Sequence, residues 1–128
     1  MKIKLSSIFV NHQHEAQQFY TEKLGFVLKH NIPMGEHNWL TVTAADEPNG
    51  TELLLEPNAN PASLAFQQAI YQQDIPATAF EVDDIAHEYE RLQAMGVQFK
   101  AAPQAAGGVT IAILDDTCGN WIQLYQIG

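Results

Sequence analysis

Few side chains in this sequence stand in arrangements that do chemistry, and Glu52 is the first of them. It opens the run Glu52-Leu53-Leu54-Leu55-Glu56, which reads as a strand, so Glu52 and Glu56 share a face. At the ~3.3 Å rise of a strand the two carboxylates stand roughly 13 Å apart. That is too far for a retaining glycosidase pair and beyond the ~6.5–9.5 Å of an inverting one. Glu52 alone remains the candidate catalytic residue, because a carboxylate in a cleft can take a proton from a bound molecule. The alternative is a structural hydrogen bond to a neighbour.

Five histidines supply further candidates: His12, His14, His30, His37 and His87. On a strand, His12 and His14 would share a face, as in some metal sites. They fall instead where a strand turns into a helix, so the rings diverge and read as solvated. His30 and His37 flank Pro33-Met34-Gly35, where they could reach a cleft mouth or a partner subunit, but they read as exposed loop residues. The single cysteine, Cys118, sits in a turn with no adjacent base to make a thiolate. Gly107-Gly108 precedes a strand rather than a helix, so it is no phosphate loop, and no nucleophile elbow is present.

The elements that must position these residues follow from periodicity. Residues 3–10 alternate as a strand, with Ile8 and Val10 on one face and Leu5, Ser7 and Phe9 on the other. A helix follows, capped by Asn11, with Ala16, Phe19, Tyr20, Lys23 and Leu24 on one face, and Gly25 ends it. Strands are predicted over 26–31, 38–43 and 51–56, with turns at 32–35 and 46–50. A connector from Pro57 leads into a helix over 63–73. A strand over 77–82 comes next, then a helix capped by Asp83-Asp84 with Ile85, Tyr89, Leu92 and Met95 on its apolar face, stopped by Gly96. Strands at 98–101, 109–114 and 120–127 complete the chain.

The order of strand, helix and three strands thus occurs twice. An offset of 71 lays Leu24-Gly25-Phe26 on Met95-Gly96-Val97 and Glu52-Leu53-Leu54 on Gln123-Leu124-Tyr125, and an offset of 72 lays Val10-Asn11 on Val82-Asp83. This is an internal duplication.

These elements resemble the vicinal oxygen chelate superfamily of glyoxalases, bleomycin resistance proteins and extradiol dioxygenases. The resemblance spans nearly the whole chain. It rests on the first strand, the helix end Phe19-Tyr20 with Leu24-Gly25-Phe26, the turn Asp115-Asp116-Thr117-Cys118-Gly119-Asn120, and the closing Ile122-Gln123-Leu124. It implies an α+β fold of two βαβββ modules, at about 1–57 and 75–128, joined by a helical connector at 58–74 within one domain of residues 1–128. Their curled mixed sheets would form a half-barrel cleft, often completed across a dimer.

In that family a divalent metal is held by four side chains on the first and last strand of each module. By position these fall on Leu5, Glu52, Ala77 and Gln123. Leu and Ala have no lone pair to donate. Shifting the register by one residue substitutes Lys4 or Ser6, and Pro76 or Thr78, none a usual ligand. Glu52 and Gln123 alone would leave a divalent ion mostly water-bound and weakly held. No metal ligands are therefore assigned, and the site is expected to be degenerate.

Strand parity turns Trp39, Trp121 and Tyr125 toward the expected cleft, with Ser7, Phe9, Thr41, Leu54, Thr110 and Gln123 beside them. Two indoles and a phenol make an apolar pocket with polar handles. With 6 Lys and Arg against 15 Asp and Glu the net charge is −9, which repels nucleic acid and anionic membranes. No run is long and apolar enough for a membrane span, and the start alternates like a strand rather than a signal peptide, so a cytoplasmic address is expected. The expected function is a homodimer binding a small organic molecule, neutral or cationic, as bleomycin-resistance-like proteins do. The rival is a glyoxalase-like, lactoylglutathione-lyase-type or related metal-dependent enzyme with Glu52 as base. The third reading is a structural or regulatory dimer whose cleft is filled by Trp39 and Trp121.

Overall fold

The computed structural model describes residues 1–128. Two four-stranded mixed sheets and three α-helices make an α+β fold. In the first half, β1 (Leu5–Val10), α1 (Gln13–Gln18), β2 (Val27–Met34), β3 (His37–Thr43) and β4 (Glu52–Pro57) form a sheet of order β1-β4-β3-β2. After α2 (Pro61–Gln72), the second half repeats the plan. There β5 (Thr78–Glu81), α3 (Ile85–Ala94), β6 (Gln104–Ala106), β7 (Val109–Asp115) and β8 (Trp121–Ile127) give the order β5-β8-β7-β6. In each sheet the first and last strands run parallel and the other pairs antiparallel. No strand of one sheet pairs with the other, so the sheets do not close into a barrel.

The alternation read in the sequence decides which face is buried. Ile8, Val10, Leu40, Val42 and Leu55 point to the helical side of the first sheet, and Ala112, Leu114, Ile122 and Leu124 do so in the second. Together with Phe19, Tyr20, Ile85 and Leu92 they form one core drawn from both halves. Phe26 and Phe80, partly buried, pack their rings against Tyr20 at its margin. The opposite face of each sheet stays open, and no helix of the chain is long and apolar enough to cross a membrane.

Three local expectations are corrected. Asn11 does not cap the first helix: its amide donates to the Cys118 carbonyl at 3.1 Å, and His12 occupies the cap position without a side-chain bond. The helix then widens into a π-turn over Phe19–Lys23 before Gly25 ends it at φ 89°. Of the turn predicted at 32–35, only Gly35 turns; residues 32–34 are strand. β2 runs on to Met34 through Pro33, which an edge strand tolerates because one side of its backbone is unpaired. The reversal is Gly35-Glu36, with Gly35 at φ 64°.

The predicted strand at 98–101 makes only one bridge, Phe99 to Leu114. Pro103 interrupts it, since it has no amide to donate, and the ladder resumes as β6. The caps of the other helices behave as their residues dictate. Asp84 accepts from the His87 amide at 3.1 Å, and Asn60 accepts from the Ala62 amide at 2.8 Å with Pro61 at the first helical position.

Candidate functional site

The open face of the first sheet carries most of the expected site. Parallel register sets Leu5 beside Glu52, Ser7 beside Leu54 and Phe9 beside Glu56. Antiparallel register adds Thr41 beside Leu54, and His30 beside Thr41 in turn. Trp39 lies on the same face opposite Ile32. The strands therefore gather Ser7, Phe9, Trp39, Thr41, Glu52 and Leu54 on one surface. Ser7 is exposed, Thr41 and Leu54 are buried beneath their neighbours, and the other three are half-buried.

Glu52 is the chemical centre of this face. Its Oε1 accepts a hydrogen bond from the Thr41 hydroxyl at 2.8 Å, and His30 Nε2 stands 3.7 Å from the same oxygen. Thr43, one pair further along β3, is almost fully buried, and its hydroxyl has no partner. Continuing the β3–β4 register by one residue sets it beside Glu52. A buried hydroxyl without a partner costs about 1–3 kcal/mol until something bonds it. By register it stands beside Glu52, whose carboxylate already takes the Thr41 hydroxyl and faces His30.

The misplaced hairpin kept His30, a named candidate, from being paired with Thr41, whereas Thr43 shares the parity of Trp39 and Thr41 on the predicted strand 38–43 and was legible from it. Once the reversal sits at Gly35-Glu36, His30 must face Thr41. The other histidines join no cluster; His12, His14, His37 and His87 are exposed.

The second sheet presents Gln123 opposite Ile113 and Tyr125 opposite Ile111 on its open face. Thr110 is a correction. It pairs with Gln126, on the helical side, where Gln126 Oε1 accepts from the Ile85 amide. Counting from the Asp115–Trp121 pair, even positions of β7 turn inward, so Thr110 cannot share a face with Gln123.

Trp121 is on the expected face, but its ring is engaged. Tyr71 stacks on it at 4.9 Å, Lys100 Nζ lies 4.0 Å from its centroid, and its Nε1 donates to the Tyr71 carbonyl. It seals α2 against β8 and has no free ring face to offer. Cys118 is wholly buried, and that burial pushes its thiol well above the usual range.

A four-ligand metal site of the kind the resemblance implies would draw on the first and last strand of each sheet. Leu5 occupies the position beside Glu52. In the second half the residue beside Gln123 is Ala79, two positions along from Ala77 and equally without a donor. No three His, Cys, Asp or Glu side chains converge anywhere in the chain. These residues do not fit a four-ligand divalent site.

Comparison with known proteins places the fold in context. The chain matches the Glyoxalase/Bleomycin resistance protein/Dioxygenase superfamily over residues 2–124. It is 52% identical over 126 residues to the protein YurT of Bacillus subtilis (strain 168), covering 98% of this chain and 99% of that one. The structure of UcmS2 superposes with a TM-score of 0.84 at 33% identity, covering 98% of this chain and 97% of that one. TnmS3, an antibiotic binding protein from Streptomyces sp. CB03234, gives a TM-score of 0.78 at 26% identity, covering 100% and 97%. With the duplicated βαβββ order and the paired mixed sheets, these matches establish that the chain belongs to the glyoxalase/bleomycin resistance protein/dioxygenase superfamily.

Proposed function

We propose that this protein binds a small organic molecule on the open face around Glu52 and holds it without a metal ion. The observation that carries the reading is the trio of Glu52, His30 and the unpartnered Thr43 hydroxyl, with Phe9 and Trp39 further along the same face toward Glu56. An apolar surface with a few convergent polar groups suits a ligand with a flat apolar body and a donor for Glu52. The donor set at Leu5, Glu52, Ala79 and Gln123 supports binding rather than metal-assisted chemistry. The likeness to TnmS3, described as antibiotic-binding, supports the same class of ligand.

A second copy of the chain is the natural cover for the open faces. Exposed apolar side chains flank both of them, among them Ile32 and Met34 on β2 and Ile127 on β8. Two copies would bring the Glu52 face of one protomer against the Gln123 face of its partner, enclosing the ligand. The contact of His30 with Glu52 favours one further reading, proton transfer on the bound molecule with Glu52 as the base.

The test is a thermal-denaturation screen against aromatic antibiotics in the presence of EDTA. A ligand that binds only the folded state raises the melting temperature. At least one compound is expected to do so with chelator present, and Glu52→Ala and His30→Ala are expected to weaken it at least tenfold. A shift seen only with added metal would overturn the reading, as would binding untouched by both substitutions.

A further inference from the structure

The two halves meet at two junctions related by the duplication, and only one of them is filled. At the first, the end of β1 meets the β7–β8 turn through the bond from the Asn11 amide to the Cys118 carbonyl. Gln67 of α2 is wedged across it, its Nε2 donating to the carbonyls of Phe9 and Cys118 at 3.0 and 3.1 Å. The fit is tight enough that a Cβ on Gly119 would stand 2.6 Å from that nitrogen. The offsets of 71 and 72 make Glu81, Asp83 and Glu47 the counterparts of Phe9, Asn11 and Cys118. There the backbone bond is missing and no helix of the chain lies across the gap. A cavity of about 740 Å³ opens instead, running along the free edge of β5.

The floor of this cavity is apolar, made by Phe26, Phe80 and Leu124, with the two rings edge to face at 5.0 Å. Six carboxylates surround it, those of Asp46, Glu47, Glu81, Asp83, Asp84 and Glu88, and no Lys or Arg lines it. Only Glu88 is neutralised, by Arg91 at 2.7 Å. The volume lies in the ~300–1,000 Å³ range of sites for drug-sized molecules. Carboxylates around a low-dielectric floor focus negative potential into the cavity, and aromatic rings add attraction for a cation. His87 is the one basic side chain among the lining residues, and six carboxylates outnumber it, so an anion of the same shape is disfavoured.

We propose that this cavity is a second binding site, taking a flat cationic aromatic molecule with its rings on Phe26 and Phe80 and its charge beside Glu81 and Asp83. It shares no residue with the Glu52 face. The test titrates proflavine, a flat cation, and fluorescein, a flat anion, into the full chain by calorimetry. Three proteins are compared: the wild type, Glu52→Ala, and the double variant Glu81→Lys/Asp83→Lys. Both replaced carboxylates are exposed and bond nothing, so the variant is expected to keep the wild-type circular-dichroism melt.

Proflavine is expected to bind the wild type and Glu52→Ala equally, and the double variant at least tenfold more weakly, while fluorescein leaves all three unbound. The proposal is overturned by wild type that does not bind proflavine, by equal affinity in the double variant, or by fluorescein binding as tightly. Sedimentation of the same samples adds one outcome. A change of oligomeric state in the double variant would make the cavity a contact between copies, and that too overturns the proposal.

Discussion

Asp116 shows how single residues hold the two halves together. Its side chain is fully buried and accepts four hydrogen bonds: from the Cys118 and Asn120 amides, the Asn120 side chain at 2.8 Å, and the Tyr20 hydroxyl at 2.6 Å. Tyr20 lies in the first half and Asp116 in the second, so the bond ties the halves at their core. Asp116→Ala would leave four buried donors unsatisfied. A loss of about 3–5 kcal/mol is expected, read as a lower urea midpoint. Burial raises the carboxyl's pKa despite these donors. The folded protein therefore holds this proton to higher pH than the unfolded chain does. Stability is expected to fall as pH rises from the ordinary carboxylate range through the folded value. Urea titrations between pH 4.5 and 7.5 test this, since Asp116→Asn cannot ionise and should lose that part of the slope. At the candidate site, Thr41→Val removes one donor to Glu52 but leaves His30 and Thr43 beside it. It is expected to change ligand affinity less than Glu52→Ala does, by calorimetry with whichever antibiotic raises the melting temperature.

Elements were legible in the sequence wherever alternation and stop signals agreed. Ile8 and Val10 against Leu5 and Ser7 gave the buried face of β1, and Gly25 and Gly96 end their helices at φ 89° and 86° as expected. What misled was proline. Pro33 suggested a turn, but an edge strand has an unpaired side that needs no amide, and the misplaced turn hid the pairing of His30 with Thr41. Pro103 moved the second strand of the second half for the opposite reason, by ending a ladder begun at Phe99. Thr110 was misassigned because the pairing of β7 with β8, which sets it opposite Gln126 rather than on the Gln123 face, depends on a turn length that the sequence pattern does not fix. No spacing in the sequence announces that Tyr71 of α2 covers Trp121, since that contact depends on where a connector helix lands. Two glycines separate turn geometry from packing. Gly35→Ala meets open space and only the cost of a positive φ, about 1–2 kcal/mol. Gly119→Ala has that cost and a clash with Gln67, so its melting temperature is expected to fall further.

At the scale of the whole molecule, the fold turns two open sheet faces away from one shared core. Such a chain can be completed by its own second copy, and sedimentation equilibrium is expected to find a dimer that Ile32→Asp/Met34→Asp weakens without unfolding the protomer. The superfamily's metal chemistry requires four donors in one place, and this chain has hydrocarbon at Leu5 and Ala79 where two of them would stand. On the proposed function, Glu52 acts through hydrogen bonds rather than through a metal. The most direct test is calorimetric titration of tag-free protein with Ni²⁺, Mn²⁺ and Zn²⁺, repeated on Glu52→Ala. The expected result is no stoichiometric binding that depends on Glu52. A one-to-one divalent ion bound by the wild type and lost from Glu52→Ala would contradict it.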